Sequence, residues 1–445
     1  MSRERTRRAG LRRCGAALLL AALAACTTAP EVAIFALPQD RVRVPPPPGG
    51  FSAEERYQRG HYLEVQHYLE SLPPGELEKS AVNLALYGKV LLARGDFGAA
   101  WEILEKARAL EPRTSRRGEI EWALCQGAIL WNDFATAEEY ATGAVRDGYG
   151  LVPGFLRYLA ALRDVDVYAG PAYGQSGEDA FEMRGFQLIR IPVTVNGEDS
   201  AAIVDSGAVY TILTQSFARE ARVRMIPNSR ASGRGLHKKE FPVDFGILAE
   251  LGFGGLLLRD VPVMVMPDEA MLFETTRGQF PVPIVLGLHL LKEFRMRVDY
   301  AHRRVRWTRQ DFRVPKTARD QNLFFHGGRV FARGSIDSNG IYQFLLDTGS
   351  EPTLLTTAGL ARAGLPPSNK VFPKKVYGLG KTQVEWGIVS EVTLGIAGWG
   401  ARFRDLAVKE DDSAFEDGIL GTSLLGRFVV GMDFSRMVLT LENGS

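Results

Sequence analysis

An apolar run leading into Asp-Ser/Thr-Gly occurs twice, at Ile203-Val204-Asp205-Ser206-Gly207-Ala208 and at Leu345-Leu346-Asp347-Thr348-Gly349-Ser350, and Asp-Ser/Thr-Gly occurs nowhere else in the chain. One such triplet needs no explanation beyond Asp and Gly meeting the geometry of a turn. Chance composition supplies only about 0.2 per chain of this make-up, and here the two sit in equivalent places within a repeated segment. Leu286-Gly287-Leu288-His289-Leu290-Leu291 aligns with Leu420-Gly421-Thr422-Ser423-Leu424-Leu425. Continuing without a gap, Phe294 matches Phe428, and Asp299-Tyr300 matches Asp433-Phe434. The second part of the chain therefore reads as two similar lobes in tandem, each with one acidic turn.

After Asp164 the texture supports this. Short runs such as Leu188–Val195, Val261–Met266, Gln343–Leu346 and Val429–Met432 alternate or are wholly apolar, and Gly, Pro and Asn separate them, as expected for strands. Residues 53–163 are instead helical by period. Leu84, Gly88, Leu91, Ala100, Leu104 and Ala107 form a packing face, interrupted by Gly95-Asp96-Phe97. The turn returns 37 residues on as Asn132-Asp133-Phe134, followed by Ala137, Ala141 and Ala144, and a degenerate version begins at Gly60-His61-Tyr62. The pattern resembles two to three tetratricopeptide repeats, with a plain helical bundle as the alternative. Residues 26–52 are rich in Pro and Gly, with four consecutive prolines at Pro45–Pro48, and read as a tether.

Each acidic turn is followed by an apolar-apolar-Gly sequence, Ile284-Val285-Leu286-Gly287 in the first lobe and Gly418-Ile419-Leu420-Gly421 in the second. On these motifs, residues 184–445 resemble the retropepsin-like aspartic proteases. The resemblance implies an all-β, two-lobed acid-protease fold, with lobe 1 over residues 184–310 and lobe 2 over 322–445. It implies that Asp205 and Asp347 meet across the lobe interface as a catalytic pair. Ser206 and Thr348 would brace the interface, and Gly207 and Gly349 would let the backbone turn under the carboxyls. Two carboxylates at contact cannot both ionise, so the pair would share a proton. One member could then activate water while the other donates to the scissile carbonyl. No cofactor and no metal is expected.

Gly-rich hairpins cover the cleft in that family. The candidates are Ser232-Gly233-Arg234-Gly235 and Tyr377-Gly378-Leu379-Gly380, whose first glycines lie at similar offsets from the Asp. Two departures predict an asymmetric cleft. Glu351 stands where viral relatives often carry a substrate-binding acid, but the first lobe has Val209 there. The arginine that often follows their apolar-apolar-Gly is replaced by Leu288 and Thr422.

The N-terminus reads as a targeting signal over residues 1–25. Six arginines precede an apolar run from Gly15 to Ala25 that is too short for a stable membrane anchor. It ends in Leu23-Ala24-Ala25-Cys26, which resembles a bacterial lipobox and implies lipid on Cys26. Thr6-Arg7-Arg8-Ala9-Gly10-Leu11 partly resembles a twin-arginine signal. Of three cysteines only Cys125 lies in the folded part, so no internal disulfide is expected there, and its apolar helical setting suggests an inert thiol.

Net charge is +2, and the first 25 residues carry six Arg against one Glu, leaving the remainder at −3. This gives no electrostatic case for nucleic acid. Phosphate-loop, HExxH and Gly-x-Ser-x-Gly patterns are not fulfilled. The reading is a lipid-anchored, envelope-facing aspartic endopeptidase acting on protein or peptide, with a protein partner recruited through the repeats. The alternative is a catalytically silent peptide-binding scaffold. Because the lobes hold both acidic turns, the chemistry is expected not to require residues 53–163.

Overall fold

The computed structural model describes residues 32–37, 51–183, 188–234, 240–275, 278–314, 320–366, 372–375, 383–411 and 415–444. Seven helices come first: α1 (Ala53–Gln58), α2 (Tyr62–Glu70), α3 (Ala81–Ala93), α4 (Phe97–Leu110), α5 (Thr114–Leu130), α6 (Phe134–Arg146) and α7 (Pro153–Leu162). Local chemistry marks their starts. Ser52 and Glu55 close a reciprocal capping box on α1, and the Ser80 and Asp133 side chains accept from the first-turn N–H groups of α3 and α6. The two turns that repeat in the sequence share one backbone solution. Gly95 and Asn132 both have left-handed φ, of 75° and 61°. Phe97 and Phe134 then open α4 and α6 with side chains 3% exposed. Gly88 lets α3 cross α4 closely, since a Cβ there would lie 2.5 Å from Leu104 Cγ.

The two lobes have the same strand order. In the first, strands run Arg190–Val195, Glu198–Val204, Ile284–Leu286, Thr211–Thr214, Leu256–Met266, Glu240–Phe253 across the sheet. In the second, the equivalent path is Arg329–Ile336, Asn339–Leu346, Gly418–Leu420, Leu354–Thr356, Trp399–Lys409, Gln383–Ile396, where the last two strands also pair. In each lobe the strand entering the acidic turn pairs in parallel with the apolar-Gly strand, Leu286 with Val204 and Leu420 with Leu346.

A five-stranded sheet joins the lobes. Phe294–Asp299 of the first pairs antiparallel with Phe428–Asp433 of the second. Met296 pairs with Met432, and their sequence equivalents Val430 and Val298 pair with each other. This crosswise exchange is what an approximate two-fold axis requires.

Three expectations about organisation need correction. The segment expected to be tether contributes a strand, Val32–Ala36, which pairs with Trp399–Phe403. Val-Ala-Ile-Phe-Ala is a good edge strand that the neighbouring proline run hides when composition is averaged, and it covers an edge of the second lobe. The first lobe's structure also begins before residue 184, because Ser176–Ala180 pairs with Arg304–Thr308 in the shared sheet.

The helices, finally, dock on both lobes, which bears against a protease part that stands without residues 53–163. Tyr62, Val65, Leu69, Leu86 and Val90 share a core with Phe324, Phe331, Leu345, Leu354 and Ile419 of the second lobe. On the first lobe, the Tyr158 ring stacks on Phe245 at 4.4 Å. Polar contacts reinforce both faces. Gln343 Nε2 donates to Gly60 O at 3.1 Å, Arg333 pairs with Glu64 at 2.7 Å, and Asn132 Nδ2 donates to the buried Glu293 at 2.7 Å.

Candidate active site

Both acidic turns hang from the apolar-Gly strands. Asp205 N donates to Leu286 O at 3.0 Å and Asp347 N to Leu420 O at 3.1 Å. The glycines that end those strands permit the approach. A Cβ on Gly287 would lie 2.1 Å from Tyr210 O, and one on Gly421 2.3 Å from Pro352 O. The short helices that follow hold the outgoing turns through their first N–H groups. Leu288 and His289 donate to the carbonyls of Ala208 and Val209, and Thr422 and Ser423 to those of Ser350 and Glu351.

Asp205 and Asp347 come together across the lobe interface, with their carboxyls hydrogen-bonded. Each lies over the opposite turn: a Cβ on Gly207 would sit 2.5 Å from Asp347 Cγ, and one on Gly349 2.2 Å from Asp205 Cγ. Glycine is required here by space, since neither backbone φ is in the left-handed region. Beneath them Ser206 and Thr348 form a reciprocal lattice. Ser206 Oγ donates to Leu346 O (2.7 Å) and accepts from Thr348 N (3.1 Å). Thr348 Oγ1 donates to Val204 O (2.8 Å) and accepts from Ser206 N (3.0 Å). Both hydroxyls are buried, so all four bonds are shielded from water.

The two carboxyls are dressed differently. Asp205 Oδ1 accepts from the N–H groups of Gly207 (2.8 Å) and Ala208 (3.1 Å), whereas Asp347 Oδ1 accepts from Gly349 (3.0 Å). Burial raises the pKa of both, and donated N–H groups oppose this by stabilising the charged form. For Asp347 the charge of Asp205 adds to burial and raises its pKa well above the usual range. Two carboxyls in contact share one proton, and Asp347, with the fewer N–H donors, is the more strongly raised of the two.

Two contributors escaped the sequence reading. Thr211 and Thr353 are buried six residues after each Asp, and their hydroxyls accept from Gly287 N (3.3 Å) and Gly421 N (3.1 Å). The signal was available, because Asp-Ser/Thr-Gly-x-x-x-Thr is common to both turns.

The flap candidates are partly described. Ala231–Arg234 pairs with Glu240–Val243, setting Gly233 opposite Phe241, and Phe372–Lys375 pairs with Gln383–Trp386. Both are antiparallel hairpins. Gly235, Tyr377, Gly378 and Gly380 lie outside the described residues, as does Cys26. Glu351 is exposed on its turn, and Val209 is half-buried at the equivalent place. His289 is buried with its ring edge-on to Tyr210 at 4.7 Å, and burial lowers its pKa to about 3. Cys125 is a buried free thiol pushed up to about 12. Among the described residues no group of three or more His, Cys, Asp or Glu side chains is placed to hold a metal ion.

A profile of the family described as aspartyl protease matches residues 191–290 and 332–424, one block in each lobe. The two lobes fit the retropepsin-like fold. Among solved structures, the chain is similar to a retropepsin-like aspartic protease from Rickettsia conorii at 19% identity, over 30% of this chain and 92% of that one, with a TM-score of 0.23. No curated protein matches the chain. The family match falls on the acidic turns, the strands that carry them and the apolar-Gly strands, and it leaves the helices outside.

Proposed function

We propose that this protein is an aspartic endopeptidase whose catalytic pair is Asp205 and Asp347. The observation that carries this is the meeting of two carboxyls, Asp347 buried and Asp205 half-buried, with unequal hydrogen bonding, over a brace of four buried hydrogen bonds. In this reading the Asp205 carboxylate takes a proton from a water held between the pair, while the Asp347 carboxylic acid donates to the carbonyl oxygen of the scissile amide. The product of that step is a tetrahedral diol, with no covalent bond to the enzyme. As the diol collapses, a proton passes to the leaving amine, the C–N bond breaks and the shared proton of the pair is restored. Asp205→Asn keeps shape and removes the base. Cleavage of an unfolded protein substrate should fall by at least about 10³-fold. Substantial turnover in that variant would refute the assignment.

We further propose that the enzyme works at the bacterial cell envelope, lipidated on Cys26 and facing the periplasm, on envelope proteins or peptides. Only Thr27–Glu31 separate Cys26 from the paired strand Val32–Ala36. Six residue steps at full extension reach ~20 Å, so the second lobe would ride close to the bilayer. Cys26→Ser should move the protein from the membrane to the soluble fraction or block its maturation. Unchanged processing and fractionation would count against lipidation.

A further inference from the structure

A cavity of 400 Å³ lies between the helices and the second lobe, within the range of small-ligand and peptide pockets. One wall comes from α1, α3 and α5, with Tyr57, Lys89, Trp122 and Gln126 among its residues, and the other is the turn Phe325–Gly328. Trp122 stacks with Tyr149 at 5.4 Å, so the cavity carries a preformed aromatic platform. The opposite wall is fixed. His326 stacks on Phe415 at 3.7 Å, and its Nδ1 is 3.0 Å from the Tyr62 hydroxyl.

The position of the turn connects this cavity to the catalytic pair. The strand leaving it, Arg329–Ile336, pairs with Asn339–Leu346, which leads into Asp347, with Phe331 opposite Leu345. Arg329, the first residue after the turn, lies two residues before Phe331, as Asp347 lies two residues after Leu345. Gly327 and Gly328 both take left-handed φ, of 55° and 74°, as a tight hairpin requires. A Cβ on Gly328 would be 3.4 Å from Val209, four residues after Asp205. A turn without side chains thus separates the first lobe's catalytic loop from the cavity.

We propose that the cavity is a distal substrate subsite. It takes an extended stretch of the polypeptide several residues from the scissile bond, with an aromatic or large aliphatic side chain on Trp122 and Tyr149. This rests on the protease reading and names what its substrate must contain. The Gly327–Gly328 turn lines the cavity and meets Val209, which places the two sites side by side, and the Gln58 and Gln126 amides offer donors and acceptors to a peptide backbone. Lys89 and Glu119 line the same cavity with opposite charges, which disfavours a polyanion. The subsite also gives a role to the asymmetry between Val209 and Glu351. Val209 lies against the glycine turn that lines the cavity, while Glu351 is exposed on its own turn.

The test uses the full-length protein with fluorescein-labelled randomised hexapeptides and dodecapeptides. Cleavage is followed in the wild type, and binding by anisotropy in Asp205→Asn. Dodecapeptides should bind and be cleaved about tenfold better, in line with burial of one aromatic anchor. Trp122→Ala should bring the ratio of the two lengths to one. Gln126→Trp, which fills the cavity and keeps the Trp122 packing, should do the same. Equal handling of both lengths by the wild type, or a length ratio untouched by both variants, overturns the subsite while leaving the protease reading intact. Length-dependent binding without cleavage supports the subsite and overturns the protease reading. No binding at either length overturns the subsite.

Discussion

The first and second lobes share a strand path, the acidic turn, the apolar-Gly strand, the Thr under it and the helix that pins the outgoing loop. They differ in what surrounds these parts. Asp205 accepts two backbone N–H groups from its turn and Asp347 one. Leu288 and His289 occupy the places of Thr422 and Ser423, and Val209 that of Glu351. The first lobe packs on α7 through Tyr158, and the second on α2 and α3 through Phe324, Phe331 and Leu345. The lesson is that repetition secures the geometry of the pair, while divergence around it gives its two carboxyls unequal surroundings. A symmetric site would give both carboxyls the same donors, whereas here Asp205 has one more than Asp347.

The largest effect is expected where the lobes meet the helices. A chain beginning near Met183 loses the partners of Phe324, Phe331, Leu345 and Phe245, so both lobes expose large apolar faces. It should aggregate rather than retain activity, contrary to the division of labour suggested by the sequence. Within the full chain, Tyr62→Ala removes a fully buried ring contacting the second lobe. It should cost ~3–5 kcal/mol in denaturant unfolding. Tyr158→Ala is its counterpart on the first lobe. A soluble, folded truncation with full peptidase activity would return the helices to the status of an independent module.

A smaller effect tests the equivalence of the lobes at their brace. Ser206 and Thr348 each donate one hydroxyl hydrogen bond and accept one from a backbone N–H in the opposite turn. Ser206→Ala and Thr348→Val therefore each leave a buried N–H and a carbonyl short of a partner, at ~1–3 kcal/mol for an unsatisfied group. The two losses should be similar, and the double variant should cost less than their sum, because both belong to one network. Thr348→Ser should be close to neutral. Thermal unfolding of the four variants measures this, and additive losses would mean the two halves of the brace act separately.

The legible parts of the molecule are those written in local pattern. Apolar strands before Asp205 and Asp347, glycines where backbones nearly touch, and a gapless repeat past Phe294 and Phe428 carry their geometry in adjacent residues. The helical turns at Gly95 and Asn132 were readable for the same reason. What local pattern does not carry is docking. Nothing near Tyr62 or Tyr158 distinguishes a helix face covered by another helix from one covered by a β lobe, since both require an apolar stripe. Val32–Ala36 was missed because its three β-formers, Val32, Ile34 and Phe35, were averaged with the proline run behind them. The unequal donors on Asp205 and Asp347 depend on whether Ala208 or Ser350 turns its N–H toward the carboxyl, an orientation the similar motifs do not reveal.

The smallest effect is also the sharpest test of that inequality. A carboxyl whose pKa rises on folding binds its proton more tightly in the native state than in the unfolded chain. Its favourable contribution is therefore present at low pH and is lost as pH rises through the folded value. Both members are shifted upward, Asp347 further, so at pH 7 the pair weakens the fold, and replacing either member should raise Tm. The two replacements differ in what remains. Asp347→Asn removes the more strongly shifted carboxyl and leaves Asp205 with two N–H donors that offset part of its burial. Asp205→Asn leaves Asp347 buried with one donor, and most of the burial penalty persists. The expected order of Tm at pH 7 is Asp347→Asn above Asp205→Asn above wild type. The gaps should be a few degrees, since ~1 kcal/mol moves Tm by ~2–4 °C in domains of 150–250 residues. They should close as pH falls below about 4, where the remaining carboxyl is protonated in both states. The reverse order would place the proton on Asp205 and exchange the acid and base roles, while equal values would mean the two lobes are electrostatically symmetric despite their different dressing.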